Sequence, residues 1–143
     1  MLETKLLTLK KEAKTFSEIL NSAKTSLVLF YHTSCLGCTG RAIPLAYDFQ
    51  LEYKELQVIL VHSELATGQL SKEEILSVFI NKQSPLPIYI DVQHKLYDLV
   101  EAEGTPFWVI INSSGKIINK IFGSQQNAQN RLHYSLMSLS ESE

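Results

Sequence analysis

The sequence predicts an α/β protein built on a mixed central β-sheet with helices on both faces. Three observations carry that expectation. Two short continuous apolar runs, LVLFYH at 27–32 and LQVILVH at 56–62, read as buried parallel strands. Amphipathic stretches stand before, between and after them, and parallel strands need such crossovers. Later, TPFWVIIN at 105–112 and KIINKIFG at 116–123 flank NSSG turn chemistry, which demands an antiparallel hairpin.

The remaining elements follow in order. Residues 11–24 place Ala13, Phe16, Ile19, Leu20 and Ala23 on one face and predict an amphipathic helix. A second helix is expected from about Leu36 to Lys54, with Ala42, Ala46, Phe49 and Tyr53 on one stripe and a kink at Pro44. Ser71 and Glu74 have capping-box spacing ahead of Ile75, Leu76 and Phe79. PLPIYID at 85–91 predicts a short strand. HKLYDLVEAEG predicts about two helical turns that pack Leu96, Leu99 and Val100 and stop at Gly104. Ala128, Leu132, Leu136 and Leu139 have helical spacing, so the chain closes with a helix.

Size and composition suit one domain. The 143 residues are 45% hydrophobic and 20% charged, which excludes a disordered tail or a small disulfide scaffold. No repeat, low-complexity tract or linker interrupts them, so 1–143 is expected to be a single domain with an N-terminal helix (1–25) as part of it. The net charge of −2 supplies no basic field for nucleic acid or an acidic membrane. No apolar run reaches the length of a secretory signal or a membrane span. The expectation is therefore a cytoplasmic monomer, with an extracytoplasmic placement left open if a leader has been removed.

The two cysteines, Cys35 and Cys38, are three positions apart, after a buried strand and at the start of a helix. A helix start presents free backbone N–H groups and a positive dipole end, which stabilise a thiolate. Cys35 should be the more exposed and Cys38 should point back into the helix. Such a pair can pass through a mixed disulfide and resolve it, in either direction. The other readings are half a zinc site, two inert buried thiols, or a metal-delivery pair. Structural zinc needs four ligands, and His32, His62, His94 and His133 are scattered. CxxC beside a βαβ pattern favours the redox dithiol.

These residues resemble the thioredoxin superfamily, and within it the TlpA-like thiol–disulfide oxidoreductases. The resemblance covers roughly 25–125 and rests on LVLFYHTSCLGC, on PIYIDVQHKLYDLVEAEGTPF and on FWVIINSSGKIINKIFG. It implies a thioredoxin-like fold with a strand-helix insertion in the middle, at about 63–90. It implies a cis bond at Thr105–Pro106 beside the cysteines, where the Thr105 backbone could bridge to an extended substrate. The hairpin motif is matched by Asn112, Gly115, Lys116 and Ile117.

Several positions depart from the family pattern. Ser34 stands where tryptophan is usual, Leu36–Gly37 replaces a dipeptide that often holds proline, and Leu29 replaces the buried acid of classical thioredoxins. Pro44 lies six residues after Cys38 rather than five, which predicts a shifted kink or a bulge.

The expected activity is thiol–disulfide exchange on protein disulfides or dithiols. Cys35 is nucleophile, Cys38 resolving thiol, and Thr105 and Pro106 position the substrate. No bound cofactor and no metal are expected, only an electron-donor or electron-acceptor protein. Tyr31, His32, His62, Glu101 and Glu103 are candidates to tune the thiols. Tyr31 is expected to pack beneath the site and Trp108 in the core. The alternative is a thioredoxin-like binding or metal-handling module without efficient redox turnover.

Overall fold

The computed structural model describes residues 1–63 and 70–142. Seven strands form one mixed sheet: β1 (Lys5–Leu7), β2 (Ala13–Thr15), β3 (Thr25–Tyr31), β4 (Leu56–Ser63), β5 (Ile88–Asp91), β6 (Phe107–Ile111) and β7 (Ile117–Phe122). Their order across the sheet is β2-β1-β5-β4-β3-β6-β7. β3, β4 and β5 run parallel, whereas β6 lies antiparallel to β3 and β7 antiparallel to β6. The helices are α1 (Phe16–Ile19), α2 (Ile43–Glu52), α3 (Lys72–Leu76), α4 (Lys95–Leu99) and α5 (Gln126–Ser142).

The sheet separates two apolar layers, as the period-2 alternation of its central strands requires. Leu27, Leu29, Tyr31, Val58, Leu60 and Trp108 face α2, α3 and α5, where Ala46, Phe49, Ile75, Ala128 and Leu132 meet them. Val28, Phe30, Ile59, Val61 and Val109 face Phe16 and Ile19 of α1 and Leu96 of α4. Trp108 is fully buried, and its Nε1–H donates to the Gly123 carbonyl at 2.8 Å.

The expected helix over 11–24 is not what forms. β1 and β2 make a hairpin, and Leu7 of β1 pairs with Ile90 of β5. The turn is closed by Lys11 N–H on the Thr8 carbonyl at 2.9 Å, with Lys11 left-handed at φ 67. A Thr15/Glu18 capping box starts the helix only at Phe16, and Leu20 is already extended. Phe16 and Ile19 are buried as their spacing implied, but Ala13 is exposed on a strand. The free edge of β5 decided this, and a local hydrophobic stripe carries no information about a distant edge.

Two smaller differences have local causes. α4 is capped by a buried acid from the preceding strand: Asp91 Oδ1 accepts Leu96 N–H and Oδ2 accepts Tyr97 N–H, both at 2.9 Å. The helix ends at left-handed Glu101, φ 60, rather than at Gly104. This early stop leaves Leu96 and Val100 in the core and turns Leu99 outward, 56% exposed.

The extra residue before Pro44 is absorbed as a bulge. Residues Cys38–Ala42 form a π-helical turn in which Ile43 N–H reaches back five residues to the Cys38 carbonyl. Pro44, the second residue of α2, follows that turn directly, so the bulge falls where proline cannot donate to the regular ladder. The capping box at Ser71 and Glu74 forms ahead of α3 as expected. The part of the insertion at 64–69 lies outside the described residues.

Leu132 is fully buried against the sheet. Leu132→Ala should lower stability by about 2–5 kcal/mol through lost burial and a residual cavity, measured by urea denaturation.

Candidate active site

The C-terminal ends of β3 and β4 lie side by side, with Tyr31 in register with His62. Beyond β3 the chain turns through 32–34 and enters the helix that carries the cysteines. Both thiols are free. Cys35 is half-buried at the rim, and Cys38 is fully buried in the core beneath it. Exposure therefore divides the pair as the helix start predicted.

Cys35 Sγ is contacted from two sides. The Cys38 backbone N–H donates to it at 3.3 Å, and its own S–H lies 3.5 Å from the Thr105 carbonyl. The Thr105–Pro106 bond is cis. Burial pushes the Cys38 thiol up to about 12, helped by the Cys35 sulfur, while the His32 backbone and the Thr105 side chain pull the other way. Cys38 thus keeps its proton while Cys35 stands at the surface.

The Leu36–Gly37 dipeptide has a steric role. Leu36 is 86% exposed beside Cys35. A methyl group at Gly37 would lie 3.3 Å from Ser124 Oγ and 3.7 Å from Pro106 Cδ, so the helix start packs tightly on the Pro106 loop. Gly104 adopts φ +154 and has the Phe122 ring within 3.3 Å of where a Cβ would stand. Phe122 and Ser124 therefore border the site, although hairpin spacing alone did not mark them.

The five tuning candidates separate into two groups. Tyr31 is fully buried below the cysteines, and burial, followed by the nearby Cys38 charge, raises its phenol well above its usual range. Its hydroxyl has no hydrogen-bond partner. His62 is also fully buried, not a surface residue, and its ring meets Tyr31 edge-on at 5.2 Å. Burial, then the His32 and Lys11 charges, pushes its pKa down to about 4. His32 stacks at a tilt on His62 with ring centroids 4.9 Å apart, and burial lowers its pKa as well.

Glu101 and Glu103 belong elsewhere. Both are exposed, Glu101 lies 4.0 Å from Lys120 Nζ, and neither is among the groups that shift Cys38. Among the described residues, no group of three His, Cys, Asp or Glu side chains is placed to hold a metal ion.

This architecture is shared with known proteins. A thiol–disulfide isomerase from Corynebacterium glutamicum superposes with a TM-score of 0.75 at 24% identity, covering 97% of this chain and 94% of that one. A putative thiol:disulfide interchange protein DsbE from Chlorobium tepidum gives a TM-score of 0.75 at 18% identity over 94% of this chain and 90% of its own. The chain has a thioredoxin fold. By sequence, this thioredoxin-fold protein is 28% identical to the thiol–disulfide oxidoreductase YkuV of Bacillus subtilis over 101 residues, 70% of this chain and 68% of that protein. The thioredoxin-like protein SkfH of the same organism is 24% identical over 97 residues, 68% of this chain and 67% of its own. No family model matches the chain.

The buried imidazole has a measurable signature in this thioredoxin-fold protein. Because the folded pKa of His62 is depressed to about 4 from 6.5, the unfolded chain binds the extra proton between those values. Stability from this residue is complete above about pH 6.5 and is lost as pH falls through about 4, by roughly 3 kcal/mol in total. Urea denaturation from pH 7 to 4 should show this slope in the wild type and lose that share of it in His62→Gln.

Proposed function

We propose that the chain is a thiol–disulfide oxidoreductase that acts on protein disulfides or dithiols. The observation that carries this reading is the pairing of a half-exposed Cys35 sulfur with a buried Cys38 thiol whose backbone N–H points at that sulfur from 3.3 Å. The fold and the sequence relatives support it.

The Cys35 thiolate attacks a substrate disulfide, forming a Cys35–substrate disulfide and releasing one substrate thiolate, which takes a proton from water. Cys38 sulfur then attacks Cys35 sulfur, and the Cys38 proton passes, directly or through water, to the substrate thiolate it expels. The second substrate thiolate leaves, and the Cys35–Cys38 disulfide holds the two oxidising equivalents. Reversal of the same steps oxidises a substrate dithiol. Burial of Cys38 supports this order, because a thiol held protonated does not compete with Cys35 for the first attack.

The Thr105 carbonyl, already 3.5 Å from Cys35 Sγ, supplies a backbone acceptor beside the reacting sulfur for an extended substrate segment. Pro106 closes the loop against Gly37. In this reading the chain works as a monomer, with a separate protein supplying or accepting electrons.

Reduction of insulin by dithiothreitol tests the proposal. The wild type should accelerate it and Cys35→Ser should not. Cys38→Ser should accumulate a mixed disulfide with insulin, visible on a non-reducing gel. A wild-type rate no faster than that of Cys35→Ser would sink the reading.

A further inference from the structure

His62 occupies an apolar core yet, among the described residues, its ring makes only one hydrogen bond, as the acceptor of Thr33 N–H at Nε2, 3.4 Å away. Among those residues its Nδ1 has no partner. A leucine would fill the same space without leaving a polar nitrogen unpaired, so stability does not account for an imidazole here. What the ring does hold is the loop that delivers Cys35.

The next two amides of that loop are held by the neighbouring histidine. Ser34 N–H donates to His32 Nδ1 at 3.1 Å, and the Ser34 hydroxyl lies 2.6 Å from the same nitrogen. Cys35 N–H donates to the His32 carbonyl at 3.0 Å. Three successive amides, at 33, 34 and 35, are thus fixed by two histidines. The two rings lean on each other at 4.9 Å, and Tyr31 closes the far side of His62 at 5.2 Å.

We propose that His62 and His32 are positioning residues: a two-imidazole latch that holds the amides at 33 and 34, just ahead of Cys35, and so aims Cys35 at its substrate. The proposal rests on the reading of Cys35 as the nucleophile. Neither histidine touches the reacting sulfurs with its ring; each acts through a backbone N–H.

The latch works only with neutral rings. An acceptor nitrogen that gains a proton becomes a donor facing another donor, and the amide it held is released. Among the described residues, the groups acting on His62 are His32, the Tyr31 ring on β3 and Lys11 from the β1–β2 turn, and none of them is a carboxylate. His32 faces Ser34 and His62. The surroundings therefore keep both rings unprotonated at neutral pH.

Amide hydrogen exchange on the full chain at pH 7, read by NMR, tests the latch independently of activity. His62→Leu should speed exchange at Thr33 by about tenfold or more and lower kcat for insulin reduction by about tenfold with KM little changed. Its thermal midpoint should not fall. His62→Gln, which keeps an acceptor at the Nε2 position, should restore both readouts. His32→Asn should likewise preserve Ser34 protection that His32→Ala loses.

Unchanged Thr33 exchange in His62→Leu, or a His62→Gln variant no better than His62→Leu, overturns the latch. If His62→Leu does not fold, His62→Gln against the shorter His62→Asn makes the same comparison. A wild type inert toward insulin sinks the redox reading, and the exchange rates alone then decide the latch.

Discussion

The parallel register of β3 on β4 is the constraint on which the site depends. It ends the two strands together and sets Tyr31 beside His62 on the face that α2 covers. Because side chains alternate along a strand, a one-residue slip would send both rings to the opposite layer. The loop at 32–34 would then lose the imidazole that holds it, and Cys38 would lose the buried aromatic floor beneath it. The run of apolar residues from Leu27 to Tyr31 and from Val58 to Val61 protects this register, since both layers are packed.

Burial then differentiates two identical side chains. Cys38 enters a core of Tyr31, Ala42 and Trp108, while Cys35 remains at the rim against the Thr105 carbonyl. The π-helical turn begins at Cys38 itself and takes up the residue that precedes Pro44. Below the thiols, the Tyr31 hydroxyl and His62 Nδ1 remain unpaired. Each such group costs about 1–3 kcal/mol when left without a partner. Unpaired polar atoms gathered beneath a reactive centre mark a place where packing alone did not choose the residues.

Much of the frame was legible without coordinates. The central strands are apolar runs bounded by turn chemistry, Ser71 and Glu74 form the capping box their spacing implies, and NSSG closes a hairpin. The cysteine pair was legible because its spacing and its place after a strand are local facts. The N-terminal hairpin was not, because its reason is the open edge of β5, far away in sequence. Leu99 was misplaced because Glu101, a residue with no special turn preference, ends the helix early. Glu101 and Glu103 were candidates by proximity to Thr105 in the chain, but both are exposed, Glu101 lies beside Lys120, and neither is among the groups that shift Cys38.

The sequence by itself determined the α/β class, the thiol pair and its place at a helix start, since each is written in periodicity or in neighbouring residues; the Thr105–Pro106 segment came from the family resemblance. Only the tertiary structure decided which side chains enclose Cys38 and that His62 lies in the core. It alone brought the amides at 33, 34 and 35 onto two histidines. Burial and hydrogen-bond partnership are properties of the packed chain: they depend on strand register and on contacts between distant residues, and no local pattern encodes them.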